Sequence, residues 1–150
     1  MRFSFSNPIT KLRHVWHLAK NERATPREIG WAVAVGVFVG CTPAIGMHGG
    51  IAIASATILR LNRLWAFIGS RTSAFFILPL ITYAEVEIAH HLRTGAWVTL
   101  DRQHVIDQAK ELLLDWFIGT IPVGGALGAV LGLVAYALAR RRAAKKEKEE

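Results

Sequence analysis

The apolar run from Ile29 to Leu61 is too long for one membrane crossing and too apolar to lie in water. As a single straight helix it would extend about 50 Å, whereas a bilayer's hydrocarbon core is roughly 30 Å thick. The run is also interrupted. Pro43, Gly46, Gly49 and Gly50 gather near its middle, and a proline removes a backbone donor and kinks or ends a helix. Basic residues mark both ends, Arg23 and Arg27 before it, Arg60 in its last turn and Arg63 after it. A straight helix would put these flanks on opposite sides of a membrane, and a hairpin keeps them together. The sequence therefore predicts a broken, re-entrant helical hairpin over residues 26–61, with its tip at Pro43 to Gly50, entering and leaving on the cytoplasmic side. Two short full crossings give the same sidedness. Non-helical backbone at that depth must be buried in protein or line a wet cavity.

Two further apolar blocks follow, Leu64 to Ala89 and Leu112 to Ala139. Each reaches the roughly 20 residues that span a bilayer core. The 52% hydrophobic content exceeds the about 45–50% usual in soluble domains, and the excess sits in these blocks. At 150 residues the chain has the length of one domain. The net charge of +7 is distributed as membrane orientation requires. Residues 1–28 hold six basic against two acidic side chains, and residues 140–150 hold six against three. Arg60, Arg63 and Arg71 add to the positive side, while residues 85–115 carry six acidic against three basic. Basic clusters beside apolar blocks follow the positive-inside rule, which accounts for the charge better than nucleic-acid binding does. Residues 1–28 lack the central apolar region of a cleavable signal peptide. The lone Cys41 reads as a small buried thiol.

The expected fold is an all-α integral membrane protein of the bacterial inner membrane, with an amphipathic N-terminal helix, the broken hairpin and two further transmembrane helices. Residues 1–24 form the amphipathic helix on the cytoplasmic surface, with Ile9, Leu12, Val15, Trp16 and Ala19 at helical spacing. Its His14 and His17 read as interfacial polar residues, since a metal site needs more converging ligands. Thr25, Pro26 and Glu28 form a capping-box start, and Asn62 caps the next helix. Residues 64–90 make a crossing that contains Pro79 and Arg71. An external loop and amphipathic segment over 92–115 leads to a crossing over 116–139 and a frayed, charged cytoplasmic tail over 140–150. Trp31, Trp65 and Trp116 start the three blocks, as aromatic-belt residues do. Both termini are then cytoplasmic.

The interruption has an echo. Phe38-Val39-Gly40-Cys41-Thr42-Pro43-Ala44-Ile45-Gly46 and Phe117-Ile118-Gly119-Thr120-Ile121-Pro122-Val123-Gly124-Gly125 share the pattern Phe, aliphatic, Gly, two residues, Pro, two residues, Gly. Interrupted helices in matching places point to binding sites in transporters, although Pro and Gly are also common in membrane helices generally.

The run Gly36 to Gly40, then Thr42-Pro43-Ala44-Ile45-Gly46, followed by Leu61-Asn62-Arg63 and a Pro-bearing helix, resembles a bacterial family of small membrane proteins known as domain of unknown function 2062. The similarity covers about residues 20–140. The resemblance implies location and fold, and no activity. The family often carries an Asn-Pro pair early in the second span. Counted from Gly69, those positions are Ala74-Phe75 here, while Pro79 keeps its place.

No nucleophile–base arrangement, Walker loop or zinc spacing is present, so an enzyme, a cofactor or a metal is not expected. His90, His91, His104, Glu85, Glu87 and Asp101 read as a solvated cluster at the membrane edge, with a weak metal or proton site as the other reading. Arg71 is either a functional charge inside the membrane or a side chain snorkelling at its boundary. An opened hairpin tip exposes amides and helix ends that bind anions. The candidate site is therefore Thr42, Pro43, Gly46, His48, Gly49 and Gly50 at the tip, with Arg60, Asn62, Arg63 and Arg71 supplying polar and positive groups. The expected function is transport or flipping of an anionic lipid or small anion, by a homo-oligomer or with a partner membrane protein, in contact with anionic membrane lipids. The alternative is a non-transporting adaptor or accessory subunit, packed through the small-residue spacings of Gly124, Gly125, Gly128 and Gly132.

Overall fold

The computed structural model describes residues 24–44, 46–72, 78–99 and 105–148. The expected amphipathic helix over 1–24, with His14 and His17, lies almost wholly outside them, as do Ala74-Phe75, Asp101 and His104.

The first described helix, α1 (Pro26–Cys41), starts as its sequence dictates. Glu28 N–H donates to Thr25 Oγ1 at 3.3 Å and Thr25 N–H donates to Glu28 Oε2 at 2.9 Å. This reciprocal pair satisfies two of the amides that a helix start leaves open. The helix ends where Pro43 forbids it to go on. A residue before proline is pushed out of the helical region, and Thr42 stands at φ −66, ψ 152. After the interruption comes α2 (His48–Ile58). It runs back along α1, because Ala32, Ala56 and Ala66 meet in one buried cluster. The broken helix pair is thus a hairpin.

Leu61 N–H donates to Ala56 O at 2.8 Å and Arg60 N–H to Thr57 O at 3.3 Å, the two bonds of a Schellman stop. Arg60 takes the left-handed position, at φ 54. Asn62 then starts α3 (Arg63–Thr72), its Oδ1 accepting from Trp65 N–H at 3.1 Å. The stretch expected as one crossing over 64–90 contributes two described helices, α3 and α4 (Leu78–Thr94). These have different partners: α3 packs on α1 and α2, and α4 on the next described helix in the chain.

That last helix is one rod. It comprises α5 (Val105–Gly119), a π-helical turn (Thr120–Gly124) and α6 (Gly125–Glu147). Pro122 explains the wide turn, since its ring and missing N–H disrupt the regular ladder and a π-bulge absorbs the disruption. The amphipathic segment and the final crossing, expected as separate elements, are therefore continuous. The 140–147 part of the tail, expected to fray, is helical. Its Ala, Arg, Lys and Glu are strong helix formers.

Helix α1 is central, between α3 on one side and α6 on the other. Small residues set both contacts. A Cβ on Gly36 would run into the Ala66 carbonyl, and one on Gly128 would stand 2.8 Å from the Ala34 carbonyl oxygen. The buried set includes Glu85, Asp115, Ser70, Asn62 and Thr120, while Phe117, Ile121, Val130, Leu133 and Leu138 are exposed along the rod. Among the described residues, one helix is long and apolar enough to cross a membrane, and 28% of its apolar window is buried. Most of its apolar surface therefore faces outward.

Candidate functional site at the interrupted helices

The interruption between α1 and α2 is held by its own polar groups. Thr42 Oγ1 donates to Val39 O at 2.7 Å, and His48 Nε2 donates to Thr42 O at 2.7 Å. Gly46, at φ 83, supplies the reversal. Met47 precedes α2 without a side-chain cap, so the first-turn amides of α2 present the positive end of a helix. On α3, Arg71 lies over the Phe67 ring, its guanidinium carbon 5.2 Å from the centroid. Gly49 faces this pair. A Cβ there would come within 2.8 Å of the Phe67 ring and 3.6 Å of Arg71 Nη2. The structure thus brings Thr42, His48, Gly49 and Arg71 together, with Pro43 and Gly46 shaping the break. Gly50 is exposed beside them, with open space around it.

Arg60, Asn62 and Arg63 do not join this group. They sit at the far end of α2, whose 11 residues span about 16 Å. Asn62 is 5% exposed and occupied as a cap, and Arg60 forms the helix stop. Arg71 is exposed.

A second polar group lies where α1, α4 and the π-turn meet. Glu85 is fully buried. Trp116 Nε1 donates to Glu85 Oε2 at 2.8 Å and is 3.1 Å from the Cys41 carbonyl oxygen. Thr120 Oγ1 donates to Trp116 O at 2.9 Å and lies 3.5 Å from the same Cys41 carbonyl. The solvated-edge reading fails for Glu85 and for Glu87, which is 8% exposed. Trp116, expected in an aromatic belt, turns its N–H inward instead. A sequence signal for Glu85 was present, since Ile81, Glu85 and Ala89 repeat every four residues and form the buried stripe of α4. In the two echoing stretches Cys41 and Thr120 hold the same position, and the fold places them in contact.

A third group closes the other end of α4. Arg93 Nε donates to Asp115 Oδ1 at 2.8 Å, and His90 Nδ1 donates to Asp115 Oδ2 at 2.8 Å. Asp115 precedes the apolar part of the rod. Burial pushes its carboxyl up, but the Arg93 and His90 donors outweigh this and hold it below the usual carboxylate range. Among the described residues no His, Cys, Asp and Glu group has the makings of a metal site.

These features define a class: an all-helical protein built on an interrupted helix pair, with one membrane-length helix among the described residues and polar groups folded inside. A family profile described as "Uncharacterized protein conserved in bacteria (DUF2062)" matches residues 9–148, and the chain belongs to that family. No curated protein and no solved structure matches the chain.

Proposed function

We propose that this protein is a multi-pass protein of the bacterial inner membrane that carries or flips an anionic group, either a phosphate-bearing lipid headgroup or a small anion. The observation that carries the reading is the seat at the α1–α2 interruption, where the uncapped start of α2 and the Arg71 guanidinium lie side by side. Helix starts bind anions through open amides, and interrupted helices are where transporters place such sites. The outward apolar surface and the buried carboxylates support a lipid surround, the reverse of a soluble protein's distribution. Both termini are cytoplasmic in this reading, and a homo-oligomer supplies the remainder of a pathway.

Of the glycines behind the adaptor reading, Gly128 and Gly132 pack on Ala34 and Gly30 of the same chain, while Gly125 faces open space. In liposomes holding fluorescent phosphatidylglycerol, the wild type is expected to move lipid between leaflets, and Arg71→Ala and Pro43→Ala to slow it while remaining folded. Rates equal to empty liposomes across phosphatidylglycerol, phosphatidic acid, phosphate and chloride would overturn the proposal. Cysteines placed at Trp97 and Glu147 in a Cys41→Ser background are expected to label from opposite sides.

A further inference from the structure

The seam between α1, α4 and the π-turn holds a carboxylate that an anion pathway leaves unused. Glu85 Oε2 takes the Trp116 indole, while Oε1 is shielded from solvent and has no hydrogen-bond partner among the described residues. The neighbouring groups offer oxygen. The Cys41 carbonyl, which accepts from Trp116 Nε1 and at 3.5 Å from Thr120 Oγ1, belongs to the last turn of α1, the negative end of that helix. Thr120 brings a hydroxyl from the π-turn, and π-bulges gather at functional sites. Gly124 keeps the space beside them small: a Cβ there would stand 3.5 Å from Glu85 Oε1 and 3.0 Å from the Cys41 Cβ.

Among the described residues, the cations nearest this end of α4 are directed elsewhere. Arg93 and His90 are held by Asp115, the neighbour of Trp116 on α5. On α4 itself Glu87 accepts from Tyr83 and from Val98 N–H. From α1 the facing titratable group is the Cys41 thiol, and the π-turn presents none. A buried carboxylate without a counter-charge is costly, and one negative charge among neutral oxygens matches one small positive charge.

We propose that Glu85 Oε1, the Cys41 carbonyl and the Thr120 hydroxyl form a seat for a small monovalent cation, H+ or Na+. In interrupted-helix transporters, helix starts face the anionic substrate and helix ends face the coupling ion. Here the α2 start lies beside Arg71 and the α1 end beside Glu85. The seat's role as a coupling site rests on the transport reading; its existence does not.

The test uses the full chain in liposomes. In the first arm, Na+ replaces choline at constant ionic strength and the unfolding temperature is followed. In the second, the infrared carbonyl stretch of a protonated carboxyl is followed with pH. One arm is expected to respond in the wild type and to be lost in Glu85→Gln, which keeps the side-chain shape. A saturable rise with Na+ identifies Na+, and a Glu85-dependent protonated-carboxyl band identifies H+. Thr120→Val, a second variant that spares the carboxylate, is expected to weaken the Na+ response about tenfold or to shift the band. A wild type silent in both arms overturns the seat, as does a response that both variants leave unchanged. Lipid movement indifferent to Na+ and pH gradients removes the coupling role and leaves transport standing. A responding seat without any movement of substrate does the reverse.

Discussion

Trp116 reaches across two helices to Glu85, its indole N–H 2.8 Å from a carboxylate oxygen that no solvent touches. Removing the donor takes away the 2.8 Å bond to Oε2 of a fully buried carboxylate. Trp116→Phe is expected to lower stability by about 1–3 kcal/mol, read as the unfolding temperature in detergent. Trp65→Phe, which retains the Asn62 cap, provides the size-matched comparison. An unchanged midpoint for Trp116→Phe would mean that the bond carries no weight.

Acid is expected to weaken the fold through Asp115. Arg93 and His90 hold its carboxyl below the ordinary range, so the folded state binds this proton less readily than the unfolded chain. The contribution is present in full above the unfolded carboxylate value and is lost as pH falls through the lower, folded one. Arg93→Gln should flatten this acid limb of the stability–pH curve and lower the plateau at neutral pH. An acid limb identical to the wild type's would sink the assignment.

Arg60 holds a left-handed conformation that costs an L-residue about 1–2 kcal/mol relative to glycine. Arg60→Gly should therefore raise the unfolding temperature, with a gain of about 1 kcal/mol. The same variant asks whether Arg60 serves substrate, because the seat at Arg71 lies at the other end of α2. Transport unchanged in a more stable protein is the expected pair of results, and a fall in stability contradicts the structural role.

Gly36 and Gly50 make a matched pair. A methyl at Gly36 meets the Ala66 backbone, whereas one at Gly50 meets nothing within 4 Å. Gly36→Ala should force α1 and α3 apart and cost about 1–3 kcal/mol. Gly50→Ala, early in α2, should be neutral or stabilising by up to about 1 kcal/mol. Equal effects on the unfolding midpoint would contradict the tight α1–α3 contact.

Local signals were the legible part of this fold. Thr25 and Glu28, Asn62, and the Thr42-Pro43 break act within a few residues, and each does in three dimensions what its spacing implies. The division of the long apolar run into two helices at the Pro43 break was legible too. Partnership between distant helices was not. Nothing near Glu85 in sequence says that Trp116 and Cys41 will close over it, so a carboxylate close to the end of an apolar block read as solvated. Arg60, Asn62 and Arg63 looked like ligands because charge and amide groups are scored by type. Asn62 does the capping its position implies, whereas the helix stop at Arg60 appears only when its φ is known. The continuity of α5 and α6 was hidden for the opposite reason, since Pro122 and its glycines advertise a break that the π-turn absorbs.

That π-turn has a mechanical consequence. It divides one rod into an arm clamped through Asp115 to α4 and a longer arm that ends in the basic tail. A bend of about 10° at the turn would carry the far end of α6 through about 6 Å, given the length of its 23 residues. The same turn contributes Thr120 beside Glu85. Filling or emptying that small seat would thus act at a fulcrum, and a shift of a fraction of an ångström there would reach the far end of α6 as a stroke.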